Sequence, residues 1–361
     1  MLDAPDRTDH WFTSHGTRCA AWFYPAHGEA DTPPPVVVMG HGLGGTRQMR
    51  LDGYARRFAA AGIAAVVFDY RGFGDSEGTP RQVVDVRQQL ADRHAALAFV
   101  RSGALPVDAS RVAIWGTSFG GGHVMQVAAE DEQLSAVVAQ CPFSDGLVSV
   151  WRRTLANPIS AFVLGAAAIV DALVGRALGR PILMPMAGSA WMPAFLASPD
   201  SLAGAAQQLP TGTALGASSS RWLRRFPLLR RRIGGHVELS DRVAPGGAES
   251  MWGTALLPNG AVVVNAIAAR LVLTLALYRP GRALRRTGST PILICVAGRD
   301  AVAPPGPTVK AADGLPNVEV RHFDTGHFEL YLGDAFEQAS ADQAAFLRRT
   351  LAARAVRPAA A

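Results

Sequence analysis

The chain has 361 residues, 49% of them hydrophobic and 18% charged, with 37 glycines and 24 prolines, which excludes wholesale disorder and favours one large domain or one domain carrying an insertion. Its formal net charge of +6 is local: Arg221, Arg224, Arg225, Arg230, Arg231 and Arg232 share one acid-free run, RWLRRFPLLRRR, and without them the rest of the chain is neutral. A solvated loop is the plain reading of that run, with an anionic ligand or a membrane surface as the alternative, and a basic face for nucleic acid is excluded.

In chain order, the N-terminus MLDAPDRTDHWF carries acids where a secretion signal needs a basic start and an apolar run, so a cytoplasmic protein is expected. Residues 11–14 and 19–24, split by His15-Gly16, read as an antiparallel hairpin. Residues 36–39, 64–68, 112–115 and 136–140 are short, β-rich and apolar on both faces, as buried parallel strands are. Between them lie helical stretches at 51–61, 82–101 and 119–130; in the second, Val83, Val86, Leu90, Leu97 and Val100 form an apolar stripe. Such alternation predicts a mostly parallel, doubly wound sheet of about eight strands.

After Cys141-Pro142 the pattern stops. Residues 143–288 hold apolar helix-like segments, proline breaks that include Pro181, Pro185, Pro193, Pro199 and Pro210, and the arginine run, and no strand is expected there. Two apolar stretches, 159–170 and 261–278, are interrupted by Asp171 and by Asn265 and Arg270, so neither reads cleanly as a membrane span. Alternation resumes with strands at 291–297 and 318–323 and a closing helix from 329 to about 351. The organisation expected is a sheet core in two parts, 1–142 and 289–361, around a helical cap at 143–288. Cys19, Cys141 and Cys295 are odd in number, widely spaced and set in apolar runs, which predicts buried thiols rather than a disulfide framework.

The residues that carry chemistry sit at strand ends. Gly116-Thr117-Ser118-Phe119-Gly120 falls between a strand and a helix, the context in which G-x-S-x-G forms a sharp turn presenting the serine at a helix N-terminus. A serine hydroxyl needs a histidine to take its proton and a carboxylate to orient that histidine. The strand at 291–297 leads to Asp300, and the strand at 318–323 leads to His327. Ser118, Asp300 and His327 are therefore the expected nucleophile, orienting acid and base, with Asp324 and Asp145 as rival carboxylates. The Gly-rich segment 40–45 after the third strand lacks phosphate-loop spacing. It predicts Leu43 N–H as one oxyanion donor, with Phe119 N–H as the other. His41 and His123 read as structural, Lys310 as an ordinary surface lysine, and no ligand spacing calls for a metal or cofactor.

On the runs HGLGGTRQMRLDGYARRFAAAGIAAVVFDYRGFGDSEG, WGTSFGGGHV, QCPFSDG and DTGHFELY, the chain resembles the α/β-hydrolases over 10–142 and 289–350. Within them it looks like the dienelactone-hydrolase-like and peptidase-S15-like branch that includes the polyketide transferases. The resemblance implies the same roles for Ser118, Asp300 and His327, and a cap that it does not match over 211–250. The expected activity is hydrolysis of an ester, thioester or amide through an acyl-enzyme, on a small-molecule substrate with an apolar acyl group. Acyl transfer to an alcohol or amine is the alternative. Membrane-surface contact through the cap and the arginine run is a minor further role.

Overall fold

The computed structural model describes residues 7–28, 32–217 and 252–355, and the arginine run at 221–232 lies outside them. The chain divides into two compact units. The first takes its described residues from Met1–Gly78, Val86–Asp145 and Tyr278–Ala361, and the second from Thr79–Asp85 and Gly146–Leu277.

The first unit is built on eight strands: β1 (Thr8–Ser14), β2 (Thr17–Tyr24), β3 (Val36–Gly40), β4 (Ala64–Phe68), β5 (Val112–Thr117), β6 (Ala136–Gln140), β12 (Ile292–Ala297) and β13 (Val318–Phe323). They are ordered β1-β2-β4-β3-β5-β6-β12-β13. The β1–β2 and β2–β4 pairs are antiparallel and the remaining pairs parallel. Strands β3, β4, β5, β6 and β12 are buried along their whole length, the pattern of a sheet covered on both faces. The edge strand β13 instead exposes Arg321 and His322, which blunts that edge against pairing.

On one face, α1 (Leu51–Ala60) and the closing helix Gly333–Ala355 join a core that includes Tyr54, Phe58, Trp115 and Leu347. Burying aromatic and aliphatic side chains of this size stabilises by about 1.5–3 kcal/mol each. Two side-chain hydrogen bonds cross this core: Trp115 Nε1 donates to Gln343 Oε1 at 2.8 Å, and Gln343 Nε2 donates to Gln140 Oε1 at 2.8 Å. The three cysteines are free and buried.

Helices α2 (Val86–Arg101) and α3 (Phe119–Ala128) serve the opposite face. Here the expectation needs correction. Helix α2 begins at Val86, and Val83, Val86 and Leu90 are only half-buried. The face that packs carries Gln89, Asp92 and Arg93 beside Ala96, Leu97 and Val100. Polar side chains hold it because each has a hydrogen-bond partner: Asp92 receives Arg71 Nε at 2.7 Å, and Gln89 Oε1 receives His123 Nε2 at 2.9 Å.

The second unit is not purely helical. Helices α4 (Gly146–Ala156), α5 (Pro158–Val170) and α6 (Ser201–Gln207) are joined by five short strands: β7 (Leu183–Pro185), β8 (Ala214–Ala217), β9 (Trp252–Leu256), β10 (Val262–Val264) and β11 (Ala266–Ala268). They form an antiparallel β10-β9-β8 sheet and a β11-β7 pair. Strands of three to five residues are too short to display an alternating pattern, and β7 contains Pro185, so the sequence hid them. The polar residues expected to interrupt this region are instead its internal ties. Helix α5 runs on into a π-turn at Asp171–Gly175, and Asp171 accepts Arg270 Nε at 2.8 Å. Asn265 exchanges two hydrogen bonds with the backbone of Ala187, both 2.9 Å.

Candidate active site

Ser118 stands between β5 and α3 at φ 55 and ψ −121, a conformation in which only strong local restraint holds a non-glycine residue. The restraint is visible. Ser118 N–H donates to Gln140 O of the neighbouring strand at 2.8 Å, and Ser118 O accepts from Phe143 N at 2.9 Å and Gly122 N at 3.2 Å. The turn tolerates no side chain beside it, since a Cβ on Gly120 would run into His41 O and lie 2.8 Å from an Arg93 nitrogen.

His327 follows β13 and is 2% exposed. Its Nε2 lies 3.1 Å from Ser118 Oγ and its Nδ1 lies 2.6 Å from Asp300 Oδ2. Asp300, after β12, is fixed in turn: its Oδ1 accepts from Val302 N at 2.8 Å and Ala303 N at 2.6 Å. Both rival carboxylates are engaged elsewhere. Asp324 is exposed and pairs with Arg299 at 3.1 Å, and Asp145 accepts two bonds from Arg279 at 2.9 and 2.6 Å. The strand order explains the convergence: β5, β6, β12 and β13 are consecutive neighbours, so residues following β5, β12 and β13 meet at one end of the sheet.

The segment after β3 meets the same turn. A Cβ placed on Gly42 would lie 2.8 Å from Ser118 Cβ and 3.3 Å from Phe119 N, so the backbone leading into Leu43 passes directly against the serine. His41 shapes that segment. Its Nδ1 accepts from Gly42 N at 2.7 Å, its Nε2 is 3.1 Å from Met49 O, and burial pushes its pKa down to about 4. It is a neutral imidazole donating from Nε2. His123 is likewise buried and held well below its ordinary pKa by desolvation, between Tyr278 Oη at 2.6 Å and Gln89. Lys310 is exposed on the helix Pro305–Ala312.

Two features went unread in the sequence. Cys141, at φ 42, packs with Asp300 and His327 so that their ligand-type atoms lie within 4.8 Å of one another. Burial holds its thiol far above the usual range and therefore protonated, while Asp300 and His327 already bond each other. The second is Arg93, fully buried, which donates to Tyr70 Oη at 2.8 Å and to three main-chain carbonyls. These are Trp115 O at 3.1 Å, Gly40 O at 3.2 Å and Gly120 O at 3.2 Å. One guanidinium thus joins the ends of β3 and β5 to the first turn of α3. The available signal was spacing: Arg93 lies four and seven residues before Leu97 and Val100, on their side of the helix.

The eight-stranded sheet with these strand-end residues defines the class: the chain belongs to the α/β-hydrolases and is an enzyme of that hydrolase family. The family model for serine aminopeptidase, S33, matches residues 31–176. Among curated proteins, the chain is 40% identical over 342 residues to the quorum-quenching protein AidA of Acinetobacter baumannii, covering 94% of each chain. It is 24% identical to thiohydrolase aneE of Aspergillus aculeatus, over 90% of this chain and 88% of that one. The solved α/β-hydrolase GrgF from Penicillium superposes with a TM-score of 0.67 at 21% identity, covering 96% and 99% of the two chains.

Proposed function

We propose that the protein is a serine hydrolase that cleaves an ester or thioester of an apolar acyl group through Ser118, His327 and Asp300. The observation that carries this reading is the continuous hydrogen-bonded line from Asp300 Oδ2 through His327 to Ser118 Oγ, at 2.6 and 3.1 Å. With Asp300 accepting from Nδ1–H, the imidazole presents an unprotonated Nε2 to the serine hydroxyl. Ser118 Oγ attacks the substrate carbonyl as its proton passes to Nε2. The oxyanion that forms is met by the N–H groups of Phe119 and Leu43. Protonated His327 then gives its proton to the departing alkoxide or thiolate, leaving an acyl-enzyme. Water attacks that acyl group with His327 as base, and the acid departs as Ser118 regains its proton.

The second unit is proposed as the cap that sets acyl preference, since it enters the chain where substrate-shaping insertions interrupt such cores and is rich in Leu, Met and Trp. The likeness to a quorum-quenching protein and to thiohydrolases directs the substrate search to quorum-signal molecules that carry an ester bond and to acyl thioesters. A second reading is acyl transfer, in which an alcohol or amine replaces water. It is favoured by the 32% identity to polyketide transferase grgF over 41% of this chain and 49% of that one.

The test is kcat/KM on p-nitrophenyl and thioester substrates from acetyl to octanoyl, with and without an alcohol acceptor. Each buried methylene is worth about 0.8 kcal/mol, so kcat/KM should climb severalfold per early extension. A strict acetyl preference would remove the apolar acyl pocket from the account. Acylated alcohol in place of free acid would establish the transfer reading.

A further inference from the structure

Helix α5 with its π-turn, Pro158–Gly175, does not confine its apolar side chains to its packed side as an ordinary surface helix does. Its packed side carries Leu164 and Ala168 together with Ser160, 3% exposed, and Asp171, fully buried. Its outward side carries Ile159, Phe162 and Leu173, which are 78%, 76% and 69% exposed. The packed side is fixed by specific bonds: Ser160 Oγ donates to Met192 O at 2.8 Å, and Asp171 is held by Ile182 N and Arg270. The rod therefore cannot roll its apolar side inward without stranding a buried carboxylate. Trp151 of α4 and Leu277, beyond the neighbouring short helix Val272–Leu275, are exposed as well.

Charge says what this surface fits. From 146 to 199 the only acid is Asp171, which is buried in its pair with Arg270, while Arg152 of α4 and Arg176 and Arg180, just past the C-terminal end of the rod, are exposed. We propose that the outward face of α4 and α5 docks on a lipid bilayer bearing anionic headgroups, lying in the interface rather than crossing it. An amphipathic helix with arginines at its margins gains from both acyl-chain contact and anionic headgroups. The helix is 18 residues long, about 27 Å at 1.5 Å per residue, and its inner side is committed to Asp171–Arg270, so surrounding lipid would have to accept that pair. A second copy fits less well, because α4 and α5 offer exposed arginines and no free acid, so a two-fold pairing of this face brings together like charges only. The inference does not depend on the catalytic reading, since docking uses none of Ser118, His327 or Asp300.

The experiment is sedimentation of the full chain with vesicles of phosphatidylcholine alone or mixed with phosphatidylglycerol, beside sedimentation velocity without lipid. The wild type should bind the anionic vesicles more tightly, and salt should weaken that binding. The double substitution Phe162→Ser with Leu173→Ser should lower partitioning about a hundredfold, roughly tenfold per side chain, while hydrolysis of a soluble short ester is unchanged. Replacing Arg152, Arg176 and Arg180 by Gln should abolish the preference for anionic vesicles. Failure of the wild type to bind, or binding indifferent to the double substitution, overturns the proposal. So does a wild-type dimer that the double substitution turns into a monomer, which would make a second copy the occupant.

Discussion

Arg93 shows how much a single side chain can organise. Its guanidinium meets carbonyls at the ends of β3 and β5 and in the first turn of α3, so it fixes the serine turn relative to the segment leading to Leu43. Each acceptor left unpaired by truncation costs about 1–3 kcal/mol, so Arg93→Met should unfold or gravely weaken the protein. Arg93→Lys keeps the charge but not the fork. It should preserve the fold while slowing fluorophosphonate labelling and kcat at least tenfold, with KM little changed; an equal loss in KM alone would mean that Arg93 only supports packing. The carboxylates make a cleaner comparison. Asp300→Asn should cut kcat by about 10⁴-fold by favouring the wrong tautomer of His327, and Asp324→Asn, whose carboxylate is exposed, should change it less than threefold. The opposite ranking in folded variants would remove Asp300 from its role.

His41 adds a pH dependence whose sign can be worked out. Its pKa falls from the ordinary 6.5 to about 4 in the folded protein, so the unfolded chain binds a proton that the folded one refuses. The neutral imidazole's contribution is complete above pH 6.5 and is lost as pH falls from 6.5 toward 4, about 3 kcal/mol across the window. His123, depressed in the same direction, adds to the slope. Urea unfolding at pH 7.5 and pH 5 should show this loss, and His41→Gln should shrink the difference. An unchanged difference would mean that His41 already titrates normally.

Among elements, the serine turn was the most legible because its chemistry and its backbone make the same demand. Glycines flank Ser118 where a Cβ would collide, and the buried strand before it and the helix after it are each continuous in pattern. Gly120→Ala should therefore separate α3 from the β3 segment and reduce labelling at least a hundredfold in protein whose circular dichroism remains native. Retained labelling would show that the turn can relax. Helix α2 was legible as a helix whose C-terminal half packs through Leu97 and Val100. The rest of its packed face is polar, and partners at Arg71, His123 and three carbonyls lie far away in sequence, so periodicity pointed there to Val83, Val86 and Leu90 instead. The second unit's strands fell below the length at which alternation can be seen, and Asp171, Asn265 and Arg270 looked like interruptions because a sequence does not show that they bind one another and the backbone.

At the scale of the whole molecule, the candidate site is an outcome of strand order. Ser118 and His327 are 209 residues apart, yet they follow strands separated in the sheet only by β6 and β12. The order of serine, acid and histidine along the chain was readable because each follows a strand, buried and apolar before Ser118 and Asp300 and a half-exposed edge strand before His327. The pairing of Asp300 rather than Asp324 with His327 was settled by the turn at Val302 and Ala303, which grips one carboxylate oxygen and aims the other. The measurement that tests the central claim most directly is site mapping of a fluorophosphonate adduct by intact-protein and peptide mass spectrometry. The account predicts a single adduct on Ser118, formed far more slowly in Asp300→Asn and absent in Ser118→Ala. An adduct on another residue, or labelling of Ser118→Ala at the wild-type rate, would contradict it.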